Sequence, residues 1–222
     1  GGFVKAIGKW PIGEWRSGEV TFLPVREYGE VWNDRGSGAR TDVSVWKARV
    51  PQGYHSLGMT ARRGGYRNGP EPPPTPTLVV RGGGSHVVPP LGYELAWWQI
   101  RGRRSFWCWH PIAPPGYVSL GDVGTLSSSP PPLDEVVCVA IDCLAGAGQP
   151  LGAQIWNDRG GGAPKDGAFY ARPGATGLFR CTDDATHARP GGDYHVPKEF
   201  IAEEVAGEEK GGILTGTVVE AT

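Results

Sequence analysis

The 222-residue sequence has one methionine, four cysteines and no apolar run near the roughly 20 residues a membrane helix requires. No transmembrane segment is expected. The opening Gly1-Gly2-Phe3-Val4-Lys5 lacks the apolar stretch of a signal peptide. No initiator methionine precedes it, so the chain reads as processed or excised, and the localisation stays open. The cysteines, Cys108, Cys138, Cys143 and Cys181, form no Cys-x-x-Cys pair and match no common zinc spacing. Two disulfides and four buried thiols are equal expectations. Charge excess is missing too. Lys and Arg total 22 against 23 Asp and Glu, a formal net charge of −1, so no net field directs the chain to phosphate backbones or anionic lipid. Nucleic acid is not expected as a partner.

Glycine and proline are abundant: 36 Gly and 21 Pro, 57 of 222 residues. Such a content suggests disorder when apolar residues are scarce. Here nine Trp, seven Tyr and six Phe accompany it, too much apolar surface to leave in water. The Gly and Pro therefore read as turns between short strands.

Self-similarity organises the rest. A first copy runs Val31-Trp32-Asn33-Asp34-Arg35-Gly36-Ser37-Gly38-Ala39, then Asp42-Val43-Ser44-Val45-Trp46, then Pro51-Gln52-Gly53-Tyr54-His55-Ser56-Leu57-Gly58. A third copy opens Ile155-Trp156-Asn157-Asp158-Arg159-Gly160-Gly161-Gly162-Ala163 and continues Asp166-Gly167-Ala168-Phe169-Tyr170, with the same ten-residue step from Trp to Asp. The middle copy aligns Trp98-Gln99-Ile100-Arg101-Gly102 with Trp32 to Gly36, and Phe106 to Trp109 with Val43 to Trp46 after a three-residue deletion. Its Pro115-Gly116-Tyr117-Val118-Ser119-Leu120-Gly121 mirrors Pro51 to Gly58. Runs at Glu19 to Leu23, Thr77 to Val80 and Val136 to Ile141 supply a strand ahead of each copy, the latter two following proline-rich stretches.

The expected fold is all-β: three imperfect repeats of about 60 residues in a pseudo-threefold prism or tripod of small antiparallel sheets. The chain reads as one domain, 1–222, with modules near 19–70, 77–130 and 133–190 and a closing segment 191–222. Within that segment one or two helical turns are expected over 197–206 and a last strand over 212–219. Trp32, Trp98 and Trp156 are expected in the core. For Trp10, Trp15 and Trp97, core and surface are balanced.

The strings W-N-D-R-G-S-G-A, D-V-S-V-W and P-x-G-Y-x-S-L-G, with W-x-P-I-A-P-P-G-Y-V-S-L-G-D-V, resemble the vacuolar protein sorting-associated protein 62 family. Its repeats also occur in some bridge-like lipid transfer proteins of the vacuolar protein sorting 13 type. The resemblance covers roughly residues 20–182. It implies a tripod-like all-β fold and an association with vacuolar sorting and membrane trafficking, and it carries over no catalytic residue.

Asn33, Asp34, Arg35 and Asp42 in copy one, with Asn157, Asp158, Arg159 and Asp166 in copy three, are the candidate ligand-binding residues. Amide, carboxylate and guanidinium on one turn suit a sugar hydroxyl pair or a phosphate. The same residues also serve as turn formers, with Arg paired to Asp42 or Asp166, and that bland reading is the stronger. The five histidines lie apart without ligand spacing, no EF-hand surrounds Asp183-Asp184 or Gly192-Asp193, and Glu203-Glu204 and Glu208-Glu209 sit in a polar stretch. No catalytic set, metal or cofactor is expected. The function expected is non-enzymatic: a binding or scaffold module presenting loops to a protein, glycan or lipid headgroup, or a structural subunit of a larger assembly.

Overall fold

The computed structural model describes residues 4–5, 15–17, 19–174, 176–183, 186–192 and 194–197. Of the helical turns expected over 197–206 only Pro197 is described, and it ends a strand; the rest, the strand over 212–219, Trp10, Asp184, Asp193 and the glutamate pairs at 203–204 and 208–209 lie outside the described residues, as does the Trp15 side chain. Regular structure in the described residues is strand, with one 3-10 turn at Ile141–Cys143.

Among the described residues the fold has six small sheets, antiparallel in every pairing. Three are meanders, one per copy. The first joins Glu27–Asn33 to Val43–Ala48 to Thr60–Arg63, with Val4–Lys5 on its edge; the second joins Gly92–Gln99, Phe106–Ile112 and Val123–Thr125; the third joins Gln154–Asn157, Ala168–Ala171 and Phe179–Thr182. Two of the other three sheets link them. Thr77–Gly82, the run after the prolines, pairs along its whole length with Val20–Val25, and Cys138–Ala140 pairs with both Val87–Val88 and Tyr117–Val118.

The first strand of every meander carries a register shift, and the module tryptophan follows it. The shifts fall between Glu30 and Trp32, Leu95 and Trp97, and Gln154 and Trp156. Each bulge turns the indole into the centre of the molecule. Trp97, not Trp98, is thus the counterpart of Trp32 and Trp156. Trp97 is fully buried, whereas Trp98 is half-buried on the other face. The core position expected for Trp98 thus goes to Trp97, for which core and surface are balanced in the sequence, because the bulge at Ala96 moves the register by one residue. The loop deletion in the middle copy is correspondingly two residues, and Gln99, rather than aligning with Asn33, takes the place of Asp34.

Trp32, Trp97 and Trp156 meet edge to face, with centroids 6.4, 6.4 and 5.6 Å apart. Phe106 stacks on Trp32 at 4.6 Å and Phe169 packs against Trp97 and Trp156. Such pairs add about 0.5–1.5 kcal/mol each beyond the area they bury. The indole N–H groups reach out in cyclic order: Trp32 Nε1 donates to Arg104 O at 2.9 Å, Trp97 Nε1 to Lys165 O at 2.8 Å, and Trp156 Nε1 to Thr41 O at 2.6 Å. Every copy therefore clamps the loop of the next.

A second ring closes the opposite end of this core. Met59 N donates to Asp122 O at 2.8 Å, Asp122 N to Phe179 O at 3.1 Å, and Phe179 N to Met59 O at 3.4 Å. The chains approach so closely that a Cβ on Gly58 falls 2.8 Å from the Gly121 carbonyl carbon, and Gly58 has φ +146° besides. Below the ring Leu57, Leu120 and Leu178 pack with Phe22, Val80 and Val139 of the linking sheets. All four cysteines are buried free thiols, which settles the choice left open by their number.

Candidate functional site at the loop apex

The loops after the three indoles interlock at one end of the molecule. Arg40 N donates to Arg159 O and Arg103 N to Arg35 O, both at 2.9 Å. Gly38 and Gly160 face each other so tightly that a Cβ on either meets the other's carbonyl oxygen at 3.0–3.1 Å. The third closing bond is of another kind. Pro164, eight residues past Trp156 as Arg40 is past Trp32, has no N–H, and the Gln99 side chain instead donates to Gly161 O at 3.4 Å.

All eight candidate residues lie on these loops, in two clusters. The asparagines are turn formers. Asn33 accepts from Arg35 N and Asn157 from Arg159 N, each at 3.3 Å, while their amides donate to Glu30 and Gln154. Asp34 and Asp158 are buried, and each Oδ1 caps the far side of its loop, accepting from Val43 N at 2.9 Å and Gly167 N at 3.0 Å.

Beyond those shared bonds the clusters differ. In copy one the Tyr66 hydroxyl donates to Asp34 Oδ1 at 2.7 Å, and Arg35 lies over the Tyr66 ring and donates to its carbonyl at 2.6 Å. Asp42 is held by both arms of Arg67, so the expected pairing of Arg35 with Asp42 is replaced by one from farther along the chain. Burial pushes the Asp34 carboxyl up, assisted by Asp42; Arg67 holds Asp42 below the usual carboxylate range. Burial and the hydrogen bond to Asp34 push the Tyr66 phenol well up, so it stays a donor. Asp34, Arg35, Ser37, Asp42, Tyr66 and Arg67 line an open concavity of about 360 Å3. In copy three His187 stands where Tyr66 does. Its Nε2 lies 2.9 Å from Asp158 Oδ1, and Arg159 donates to its Nδ1 and to Thr186 O, both at 3.2 Å. Arg159 therefore pairs with neither Asp158 nor Asp166.

A family model described as vacuolar protein sorting-associated protein 62 matches residues 8–159. The chain belongs to this family. The match takes in Asn157, Asp158 and Arg159 but stops short of Asp166 and His187. The crystal structure of GNIP1Aa from Chromobacterium piscinae shares the fold, with a TM-score of 0.67 and 22% identity over 93% of this chain and 39% of that one. No curated protein matches.

Two features of this member of the vacuolar protein sorting-associated protein 62 family were not legible in its sequence. The first is local charge. Arg40, Arg101, Arg103, Arg104 and Arg159 are all exposed on the interlocked loops, against one exposed carboxylate there, Asp166, since Asp34 and Asp158 are buried and Asp42 is paired with Arg67. A nearly neutral chain thus carries a cationic end. The second is a buried ion cluster across copies two and three. Asp122 occupies the ring position held by Met59 and Phe179, and its fully buried carboxylate accepts from Cys181 N at 2.6 Å and lies 2.7 Å from His110 Nδ1 and 3.3 Å from an Arg180 nitrogen. Burial opposes its ionisation, but His110 and Arg180 outweigh burial and hold it below the usual carboxylate range.

Proposed function

We propose that this chain is a non-enzymatic recognition module, a tripod of three related modules whose arginine-rich apex docks on an anionic membrane surface through lipid headgroups. The observation that carries this reading is the set of five exposed arginines on three loops tied together by backbone hydrogen bonds. Guanidinium groups are suited to phosphate oxygens, and each cation near an anionic surface is worth about 1 kcal/mol. The absence of an enzymatic role is supported by how the apex uses its polar groups: Asn33, Asn157, Asp34 and Asp158 all bond the backbone of their own loops. A part in membrane trafficking, which the family description suggests, belongs with this proposal. So do the module boundaries near 19–70, 77–130 and 133–190. No helix among the described residues is long and apolar enough to cross a membrane.

Flotation with phosphatidylserine-containing vesicles tests the reading. Binding is expected to anionic vesicles and not to phosphatidylcholine alone, and to weaken as salt rises. Arg101→Glu, Arg103→Glu and Arg104→Glu together are expected to cost on the order of 100-fold in partitioning, from about 1 kcal/mol per cation lost. Flotation that ignores vesicle charge or survives this triple reversal would contradict the proposal.

A second reading, docking to a neighbouring protein, is favoured by one observation. Leu91, Leu95, Ile112, Leu126 and Leu133, all contributed by the middle copy and its flanks, are exposed at 39–65%. A pull-down that loses its partner on Leu91→Ser with Ile112→Ser would support it.

A further inference from the structure

Asp158, Asp166 and His187 each place one ligand atom within 4.8 Å of the other two. Asp158 is 1% exposed, and the fold treats its two oxygens differently. Oδ1 accepts from Gly167 N and faces His187 Nε2. Oδ2 is buried with no hydrogen-bond partner. A carboxylate oxygen shut away from water with neither donor nor cation is costly, and such an atom calls for an ion or a ligand.

The equivalent cluster of copy one shows what is missing. There the phenol of Tyr66 donates to Asp34 Oδ1, the counterpart of the oxygen His187 faces, and the guanidinium of Arg67, the next residue, neutralises Asp42. In copy three the pair Tyr66-Arg67 has become His187-Ala188. A group that does not readily ligate metals is replaced by one that does, and the built-in cation is gone. Among the described residues no lysine or arginine pairs with Asp166; Lys165 is turned to Asp183 instead, at 3.0 Å. His187 also adopts φ 54°, the one positive φ among described non-glycine residues, with its carbonyl held by Gln154 at 2.8 Å and Tyr170 at 2.9 Å.

The geometry points to a divalent transition-metal site formed by Asp158 Oδ2, Asp166 and His187, with the metal doing in copy three what Arg67 does in copy one. Two carboxylates and one imidazole suit Zn2+ or Mn2+ ahead of Ca2+, which prefers oxygen alone. Asp166 is exposed, so the ion enters from solvent and keeps an open position there. Coordination through Nε2 moves the single ring proton of neutral His187 to Nδ1. Arg159 Nε then gives up its bond to Nδ1, and the guanidinium keeps the Thr186 carbonyl it already touches. This site does not depend on membrane binding.

The test is calorimetric titration of the chelator-treated full chain with ZnCl2, MnCl2 and CaCl2, beside thermal unfolding in each. One saturable Zn2+ or Mn2+ site and a raised Tm are expected, with Ca2+ weaker. Asp166→Asn, on the surface and safe for folding, and His187→Tyr, which restores the copy-one residue, are each expected to weaken the site by about tenfold or more. Ala188→Arg is expected to do the same by reinstating the internal cation. No saturable uptake, or uptake unchanged by Asp166→Asn and His187→Tyr, would overturn the assignment, the latter marking adventitious binding at exposed histidines.

Discussion

Replacing Trp97 and Trp98 one at a time by phenylalanine puts the bulge-set register to a sharp test. Trp97 is fully buried, donates to Lys165 O at 2.8 Å and contacts Trp32, Trp156 and Phe169 edge to face. Phenylalanine there removes a hydrogen bond worth about 1 kcal/mol and opens space under the indole triangle worth about 1–2 kcal/mol more. The sum is about 2–3 kcal/mol, a large part of the roughly 5–15 kcal/mol that holds a domain folded. At about 2–4 °C per kcal/mol for a chain of this size, Trp97→Phe is expected to lower Tm by roughly 4–12 °C. Trp98→Phe, on the half-buried face, is expected to cost under about 1 kcal/mol. Differential scanning calorimetry and urea midpoints read both. Equal losses, or a larger one for Trp98→Phe, would refute the register and with it the equivalence of Trp32, Trp97 and Trp156.

The Asp122 cluster gives a pH dependence of known sign. Its carboxyl is held below its ordinary value in the folded state, so the ion cluster stabilises the fold above about pH 4, the unfolded carboxylate value, and that contribution is lost as pH falls through the folded value. Asp122→Asn is expected to cost about 3–5 kcal/mol at pH 7, with the gap to wild type narrowing towards pH 3 in urea titrations; a constant gap would contradict the pairing. Burial pushes the Cys138 thiol up to about 12 and raises Cys108 and Cys181 as well. Iodoacetamide at pH 8 is therefore expected to leave the native chain unlabelled and to modify all four cysteines once it is unfolded.

Repetition made much of the fold readable. The ten-residue step from Trp32 to Asp42 recurs from Trp156 to Asp166, and in both copies the intervening loop is closed by the same Asp-to-backbone bond. The reading of Asn-Asp-Arg-Gly as a turn rested on side chains that bond within a few residues, which is why it transferred to three dimensions. Trp98 rather than Trp97 is the tryptophan expected in the core because a β-bulge leaves no mark in an apolar pattern: both registers put a tryptophan there. The site partners were hidden for a different reason. Tyr66, Arg67 and His187 lie 25–32 residues from the carboxylates they meet, and no local periodicity reports such a contact. Net charge is blind in the same way, since it averages over the chain the arginines that the three loops carry at one end.

Hydrogen exchange of the full chain with and without phosphatidylserine vesicles tests the apex most directly. New protection is expected at residues 34–42, 99–105 and 158–167, where the exposed arginines are carried. Protection confined to the flank around Leu91, Ile112 and Leu133, with the three loops exchanging as in the free chain, would contradict the account.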